Sequence, residues 1–144
     1  MTAYQFFGRL HPLVLHFPIA LLLLAAAVET VRCFRIDPRL SRLSVFLLAL
    51  GAMGALAAAG TGWIFAHESH PEPALRATLL WHRRLGVSTA VLAGFAWLAA
   101  HRWADDARTG FRWIPRLITW LTAALLTIAA HLGALLVWGT DYFS

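Results

Sequence analysis

The sequence predicts an all-α integral membrane protein, and two observations carry that prediction: its composition and its four long apolar runs. Of its 144 residues, 60% are hydrophobic and only 13% are charged, whereas soluble domains carry about 25% charged residues. A helix needs about 20 apolar residues to cross the roughly 30 Å of hydrocarbon in a bilayer, and each run is that long. We therefore expect one transmembrane domain over residues 1–144, an antiparallel four-helix bundle with helices at about 11–31, 43–66, 74–101 and 114–138.

The arginines predict the topology. The chain has twelve arginines, no lysine and a net charge of +5, and eight of the arginines lie in "RCFRIDPRLSR" and "HRWADDARTGFRWIPR", which connect helices one to two and three to four. Basic connections face the cytoplasm, so both termini are expected on the periplasmic side of a bacterial inner membrane. We interpret these charges as topology signals and expect no nucleic-acid partner. The first run is expected to stay as a spanning helix, because cleaving it as a signal peptide would leave a four-arginine connection outside.

The first helix opens on "HPLVLHFPIALLLL", which places two prolines at its mouth. Pro12 suits the first turn of a helix, where its missing N–H costs nothing. Pro18 lies one to two turns further in, where a proline bends a helix or loosens its hydrogen bonds. We expect the bend to widen the bundle at this end.

The other three helices also carry recognisable signals. The second has small residues at every fourth position, Gly51/Ala55/Ala59 and Gly54/Ala58/Gly62, a spacing that lets helices approach closely in lipid. The third is expected to begin ahead of the membrane, with Glu72 near its positively polarised N-terminus. Tryptophans near predicted helix ends match an interfacial aromatic belt: Trp63, Trp81, Trp103, Trp113 and Trp138.

The histidines form the most informative pattern in the sequence. Six of the seven fall on the predicted periplasmic side, and only His101 does not. Counting helical rise from the arginines places His16 and His131 roughly 6 to 8 Å below the outer surface, with His67 and His82 at or slightly above it. Ionisable residues inside a membrane usually turn inward and mark functional sites. We therefore expect a layer of imidazoles in the outer part of the bundle.

Imidazoles in such a layer point to a haem. Imidazole is the commonest neutral metal ligand, and facing helices of four-helix bundles hold cofactors between them. Gly86 and Gly133 could give room for a macrocycle, while Arg83 and Arg84 lie where haem propionates would meet the membrane edge. The single cysteine, Cys33, leaves no disulfide and no cysteine-based metal motif.

The expected cofactor is therefore haem b, one or two per chain. The candidate axial ligands are His16, His82 and His131, and the pairing stays open: His16 matches His131 in depth, whereas His16 and His82 lie on diagonal helices. A second haem would also use His67. His11, at the surface, is expected to orient a propionate or a ligand and not to bind iron.

Three motifs resemble a family of small bacterial predicted membrane proteins. "HPLVLHFP" matches the family's opening His-Pro-x-x-x-His-Phe-Pro, "WHRRLGV" matches the start of its third helix, and "HLGALLVWGTDYFS" matches its ending, with Ala134 where a second glycine is usual. The resemblance implies a four-helix membrane unit, alone or fused to cytochrome c-like or other redox modules, that binds b-type haem. His11, His16, His82 and His131 stand at matching positions.

These observations favour a b-type cytochrome-like electron-transfer subunit over an enzyme with its own substrate. The sequence has no catalytic triad, phosphate-binding loop or paired carboxylates, and Glu29 is the only acid within a predicted span. The expected partner is a periplasmic cytochrome c or a respiratory or photosynthetic complex. One alternative is a structural or assembly subunit without a cofactor. Another is an outer-face copper or zinc site built from His11, His67, His70 and His82.

Overall fold

The computed structural model describes residues 3–68, 72–103 and 112–139, and the regular structure in these ranges is all helical. The all-α prediction is confirmed for this part of the chain. A short 3-10 turn, Pro73–Leu75, precedes the fifth α-helix. The α-helices are α1 (Ala3–Arg9), α2 (His11–Val14), α3 (His16–Phe34), α4 (Pro38–Glu68), α5 (Arg76–Trp103) and α6 (Trp113–Trp138).

The first helical run is longer and more interrupted than the sequence predicts. It begins at Ala3, and α1, α2 and α3 follow one another with single-residue interruptions at Leu10 and Leu15. Both linking residues keep α-helical backbone angles. Pro12 and Pro18 supply no backbone N–H, so two carbonyls of the preceding turns lack their helical donor. The interruptions at Leu10 and Leu15 lie on either side of the short α2 segment, which carries His11.

Three helical runs are long and apolar enough to cross a membrane: Ala3–Phe34, Pro38–His67 and Trp113–Trp138. The remaining helix, α5, has 28 residues and is long enough. Its first turns carry His82, Arg83 and Arg84, and its last turn carries Arg102, which lowers its mean hydropathy. Length and composition thus support three of the four predicted spans among the described residues.

Close contacts between small residues bring the helices together. α3 packs on α4, α4 on α5, α5 on α6, and α6 also contacts α3. A methyl group added at Gly51 would lie 2.6 Å from Cδ2 of Leu22, and one added at Gly54 would lie 2.9 Å from Cδ1 of Phe17. The small residues of α4 therefore let α3 approach closely, as their spacing predicts.

A buried polar cluster joins α3, α4 and α6 near the arginine-rich connections. The carboxylate of Glu29 is fully buried and accepts hydrogen bonds from Nη1 of Arg32 at 2.6 Å and Oγ of Ser44 at 2.5 Å. Nε of Arg116 lies 3.5 Å from Oε2 of Glu29, and its Nη2 donates to the carbonyl of Arg32 at 2.9 Å. We call this end of the protein the arginine-rich end.

The pattern of buried residues repeats between the first and second halves of the chain. Buried positions of α3 recur in α5, and buried positions of α4 recur in α6, at a constant separation of 71 residues (93 − 22, 96 − 25, 129 − 58). Helices α1 to α4 and helices α5 and α6 therefore form two helical hairpins that use equivalent positions to face the core. The equivalent buried pairs include Leu22/Ala93, Ala25/Ala96, Ala52/Ala123, Ala55/Leu126 and Ala58/Ala129.

Candidate functional site

His11 and His82 face each other at the end opposite the arginine-rich end. Their ring centroids are 6.3 Å apart and their planes are inclined by 75°. His11 comes from α2 in the first hairpin and His82 from the second turn of α5 in the second hairpin. Both are half-buried. The two hairpins thus contribute one inward imidazole each.

The two rings are held in the same way. Nδ1 of His11 lies 3.0 Å from the carbonyl oxygen of Ala58, and Nδ1 of His82 lies 2.8 Å from that of Ala129. A carbonyl only accepts, so each Nδ1 carries the proton, and in the neutral form of either ring Nε2 is the nitrogen with the lone pair. A metal-binding histidine typically donates its other ring N–H to such a partner, which fixes the tautomer and the ring orientation.

A glycine lies beside each ring, one turn after the carbonyl that holds it. A methyl group added at Gly62 would lie 2.7 Å from Cε1 of His11, and one added at Gly133 would lie 3.0 Å from Cε1 of His82. Real Cβ atoms do not approach other atoms as closely as 2.7 Å. The absence of a side chain at these positions therefore makes room for the imidazoles.

These contacts obey the same repeat as the core. Each histidine and its carbonyl partner are 47 residues apart, and His11/His82 and Gly62/Gly133 keep the separation of 71 (82 − 11, 133 − 62). This equivalence is not among the predictions from sequence. A signal was present, because each histidine is followed at one fixed distance by its glycine.

The first hairpin adds two contacts to its imidazole. Oγ1 of Thr61 lies 3.4 Å from Nδ1 of His11, and the ring of Phe65 stacks on it with centroids 6.4 Å apart and planes 25° apart. Neither residue was a sequence-based candidate. Both come from α4, so the surroundings of His11 are set mainly by its hairpin partner.

His16 and His131, two of the three expected axial ligands, are exposed. Nδ1 of His16 lies 2.6 Å from the carbonyl oxygen of Pro12 in the same helical run. His16 follows His11 by five positions, which rotates it about 140° around a helix of 3.6 residues per turn. His131 precedes Gly133 by two positions, about 200° around α6. The structure therefore leaves His16 and His131 exposed, and of the three expected ligands it turns only His82 inward.

The remaining histidines do not join the pair. His67 is exposed near the end of α4, and His70 lies outside the described residues. His101 is exposed and stacks on Trp97, with ring centroids 6.2 Å apart. Within residues 3–68, 72–103 and 112–139, no three histidine, cysteine, aspartate or glutamate side chains come close enough to hold a metal ion together.

Arg83 and Arg84 each lie over a tryptophan beside His82. The guanidinium carbon of Arg83 is 4.0 Å from the ring centroid of Trp63 on α4, and that of Arg84 is 5.6 Å from the ring of Trp81. A cation over an aromatic face is attracted by the ring quadrupole. Both arginines thus lie beside His82, and Arg83 also connects the two hairpins.

The comparisons with known proteins identify a family. The model of a family described as "Predicted membrane protein (DUF2231)" matches residues 9–142, which include the inward histidines, their carbonyl partners and their glycines. No curated protein and no solved structure matches the chain. As a membrane protein it sits in a lipid bilayer. The chain belongs to the predicted membrane protein family DUF2231.

Proposed function

We propose that the protein is a b-type cytochrome-like electron-transfer subunit of the bacterial inner membrane. It is an antiparallel four-helix bundle with both termini on the periplasmic side, and His11 and His82 would hold one haem b in its periplasmic half. The observation that carries the proposal is the pair of inward imidazoles 6.3 Å apart, each with Nδ1 at a backbone carbonyl.

The donor set favours haem over a bare ion. Structural and catalytic zinc sites use three or four protein ligands, and calcium takes six to eight oxygens. The described residues offer two imidazoles here and no group of three metal-ligating side chains. A porphyrin brings four nitrogen ligands of its own, so two imidazoles would be enough to hold it.

The roles of the side chains follow from their contacts. Nε2 of His11 and Nε2 of His82 would hold the haem, which when bound would supply one-electron redox chemistry. The carbonyls of Ala58 and Ala129 hold the Nδ1 protons, which orients the rings and raises the basicity of Nε2. Arg83 and Arg84 stabilise the propionates from the membrane edge.

The location of the pair selects the redox partner. In the proposed topology the imidazoles lie near the periplasmic surface, so a periplasmic cytochrome c or the outer part of a respiratory or photosynthetic complex exchanges electrons with them. The arginine-rich end lies on the opposite side of the membrane. Electrons therefore enter and leave near the periplasmic face and do not cross the bundle.

One observation favours a second function, an assembly subunit without a cofactor. The hydrogen bonds of His11 to Ala58 and of His82 to Ala129 each connect two helices within a hairpin. In this alternative the imidazoles only connect helices, and the protein is a structural subunit of a larger membrane complex.

An optical spectrum decides between the two functions. The full chain is expressed with ample haem, purified in mild detergent, and recorded oxidised and then reduced. The cytochrome proposal predicts a six-coordinate low-spin haem at about one per chain. A colourless protein that is folded and helical would overturn it and leave the assembly function.

A further inference from the structure

A groove of about 490 Å³ opens between α5 and α6 at the arginine-rich end. Its walls are apolar, with Phe95, Leu98 and Ala99 from α5 and Ile118 from α6. Arg102 and Trp103 complete the lining where α5 ends. The groove is remote from the imidazole pair and plays no part in the proposed electron transfer.

Two residues of this lining differ from their equivalents in the first hairpin. The first hairpin has Val28 at the position equivalent to Ala99, and Val31 at the position equivalent to Arg102 (99 − 28 and 102 − 31 are both 71). Alanine is smaller than valine, so the side chain at this position takes up less space in the second hairpin. The cation at the mouth of the groove is likewise absent from the equivalent position of the first.

The lining combines an apolar slot with a cation at the membrane boundary. Leu98 is 49% exposed, and Arg102 is exposed one turn further along the helix. Arginine near a helix end extends its charged head to the interface while its stem lies on apolar surface. Tryptophan is enriched at the same level. The groove thus matches a molecule with a hydrocarbon chain and an anionic head.

We infer that the groove binds an acidic phospholipid, with an acyl chain between α5 and α6 and the phosphate at the guanidinium of Arg102. Basic pockets between transmembrane helices bind anionic head groups. Charge complementarity selects this occupant, because an acidic lipid carries a net negative charge, whereas in a zwitterionic lipid the ammonium of the head group offsets the phosphate.

Native mass spectrometry of the full-length protein tests the inference. The purified protein is titrated with phosphatidylglycerol or phosphatidylcholine, and retained lipid is counted. We expect the wild type to prefer phosphatidylglycerol. Arg102→Gln should weaken phosphatidylglycerol retention about fivefold, the effect of about 1 kcal/mol per arginine near a charged surface, and should weaken phosphatidylcholine retention by less, because the choline ammonium offsets the phosphate.

Two further variants test separately the charge and the apolar slot. Arg39→Gln removes the same charge from the same end, outside the groove, and should retain the wild-type preference. Leu98→Trp fills the slot without changing charge and should reduce retention of both lipids. Equal retention of the two lipids by the wild type, an equal effect of Arg39→Gln and Arg102→Gln, or concentration-dependent dimers that exclude lipid would each overturn the inference.

Discussion

Gly62 lies so close to His11 that a single methyl group on it would come within 2.7 Å of Cε1 of the imidazole. Gly62→Ala must therefore displace the ring and lengthen its hydrogen bond to Ala58. We expect haem occupancy to fall and the unfolding free energy to drop by about 1 to 3 kcal/mol, as for other overpacked sites. Absorbance per chain and thermal unfolding in detergent measure the two effects.

Gly60 provides the matched control for that substitution, two positions earlier on the same helix. A methyl group added there meets nothing within 4 Å. Gly60→Ala should therefore leave the spectrum unchanged and the stability unchanged or slightly higher, because alanine favours helix over glycine. Equal losses from the two substitutions would show that α4 tolerates neither, and the contact with His11 would not be the cause.

The axial ligands can be assigned by four alanine substitutions. His11→Ala and His82→Ala should each lose haem or convert a low-spin spectrum to high-spin, because the iron loses an axial nitrogen. His16→Ala and His131→Ala, at exposed positions, should keep the wild-type spectrum. Loss of haem from either exposed variant, with retention in His11→Ala, would return the axial ligands to the set that the sequence predicts, His16, His82 and His131.

Arg83 and Arg84 are expected to tune the haem through its propionates. Replacing both with glutamine removes positive charge near the iron, so the oxidised form gains relative stability and the midpoint potential falls. Redox titration of the purified protein measures the shift. Trp63→Leu removes the aromatic partner of Arg83 and keeps both charges, so it should change the potential little. An unchanged potential and full haem occupancy in the double variant would make the arginines interface anchors.

Glu29→Gln should destabilise the protein strongly. The substitution removes the buried carboxylate that accompanies the guanidiniums of Arg32 and Arg116, and breaking a buried ion pair typically costs about 3 to 5 kcal/mol. Denaturant titration in detergent, followed by circular dichroism, measures the loss. Asp37→Asn is the control, because an exposed asparagine can still accept from the N–H of Arg39. A change below about 0.5 kcal/mol in Glu29→Gln would mean that the cluster contributes no net stability.

Cys33 offers a native test of the topology. With both termini outside, a membrane-impermeant thiol reagent should leave Cys33 unlabelled in intact spheroplasts and label it after permeabilisation. Its thiol is half-buried and lies 3.4 Å from the carbonyl of Glu29, so the permeabilised sample is an essential control. Glu72→Cys in a Cys33→Ser background should be labelled in intact spheroplasts. The reverse pattern would place the imidazoles at the cytoplasmic face.

Helix content and approximate helix bounds could be predicted from the sequence because apolar runs of this length leave few alternatives in a membrane. The direction in which each histidine points could not. Counting residues along a helix predicts only the depth of a side chain in the membrane, and it gives His16 and His131 similar depths. The direction in which a side chain points depends on how its helix is rotated about its own axis relative to the neighbouring helices. That rotation is set by contacts such as Gly62 with His11, between residues distant in the chain.

Because the repeat gives each hairpin one of the two proposed ligands, the proposed cofactor would connect the two hairpins. Each hairpin contains one imidazole together with the carbonyl and the glycine that position it. Neither hairpin alone can therefore supply both ligands of the haem. A ligand that binds only the docked hairpins stabilises their docking by its own binding free energy. Haem binding and the docking of the two hairpins are then thermodynamically linked. Without haem, the protein is expected to open first where the two hairpins pack together.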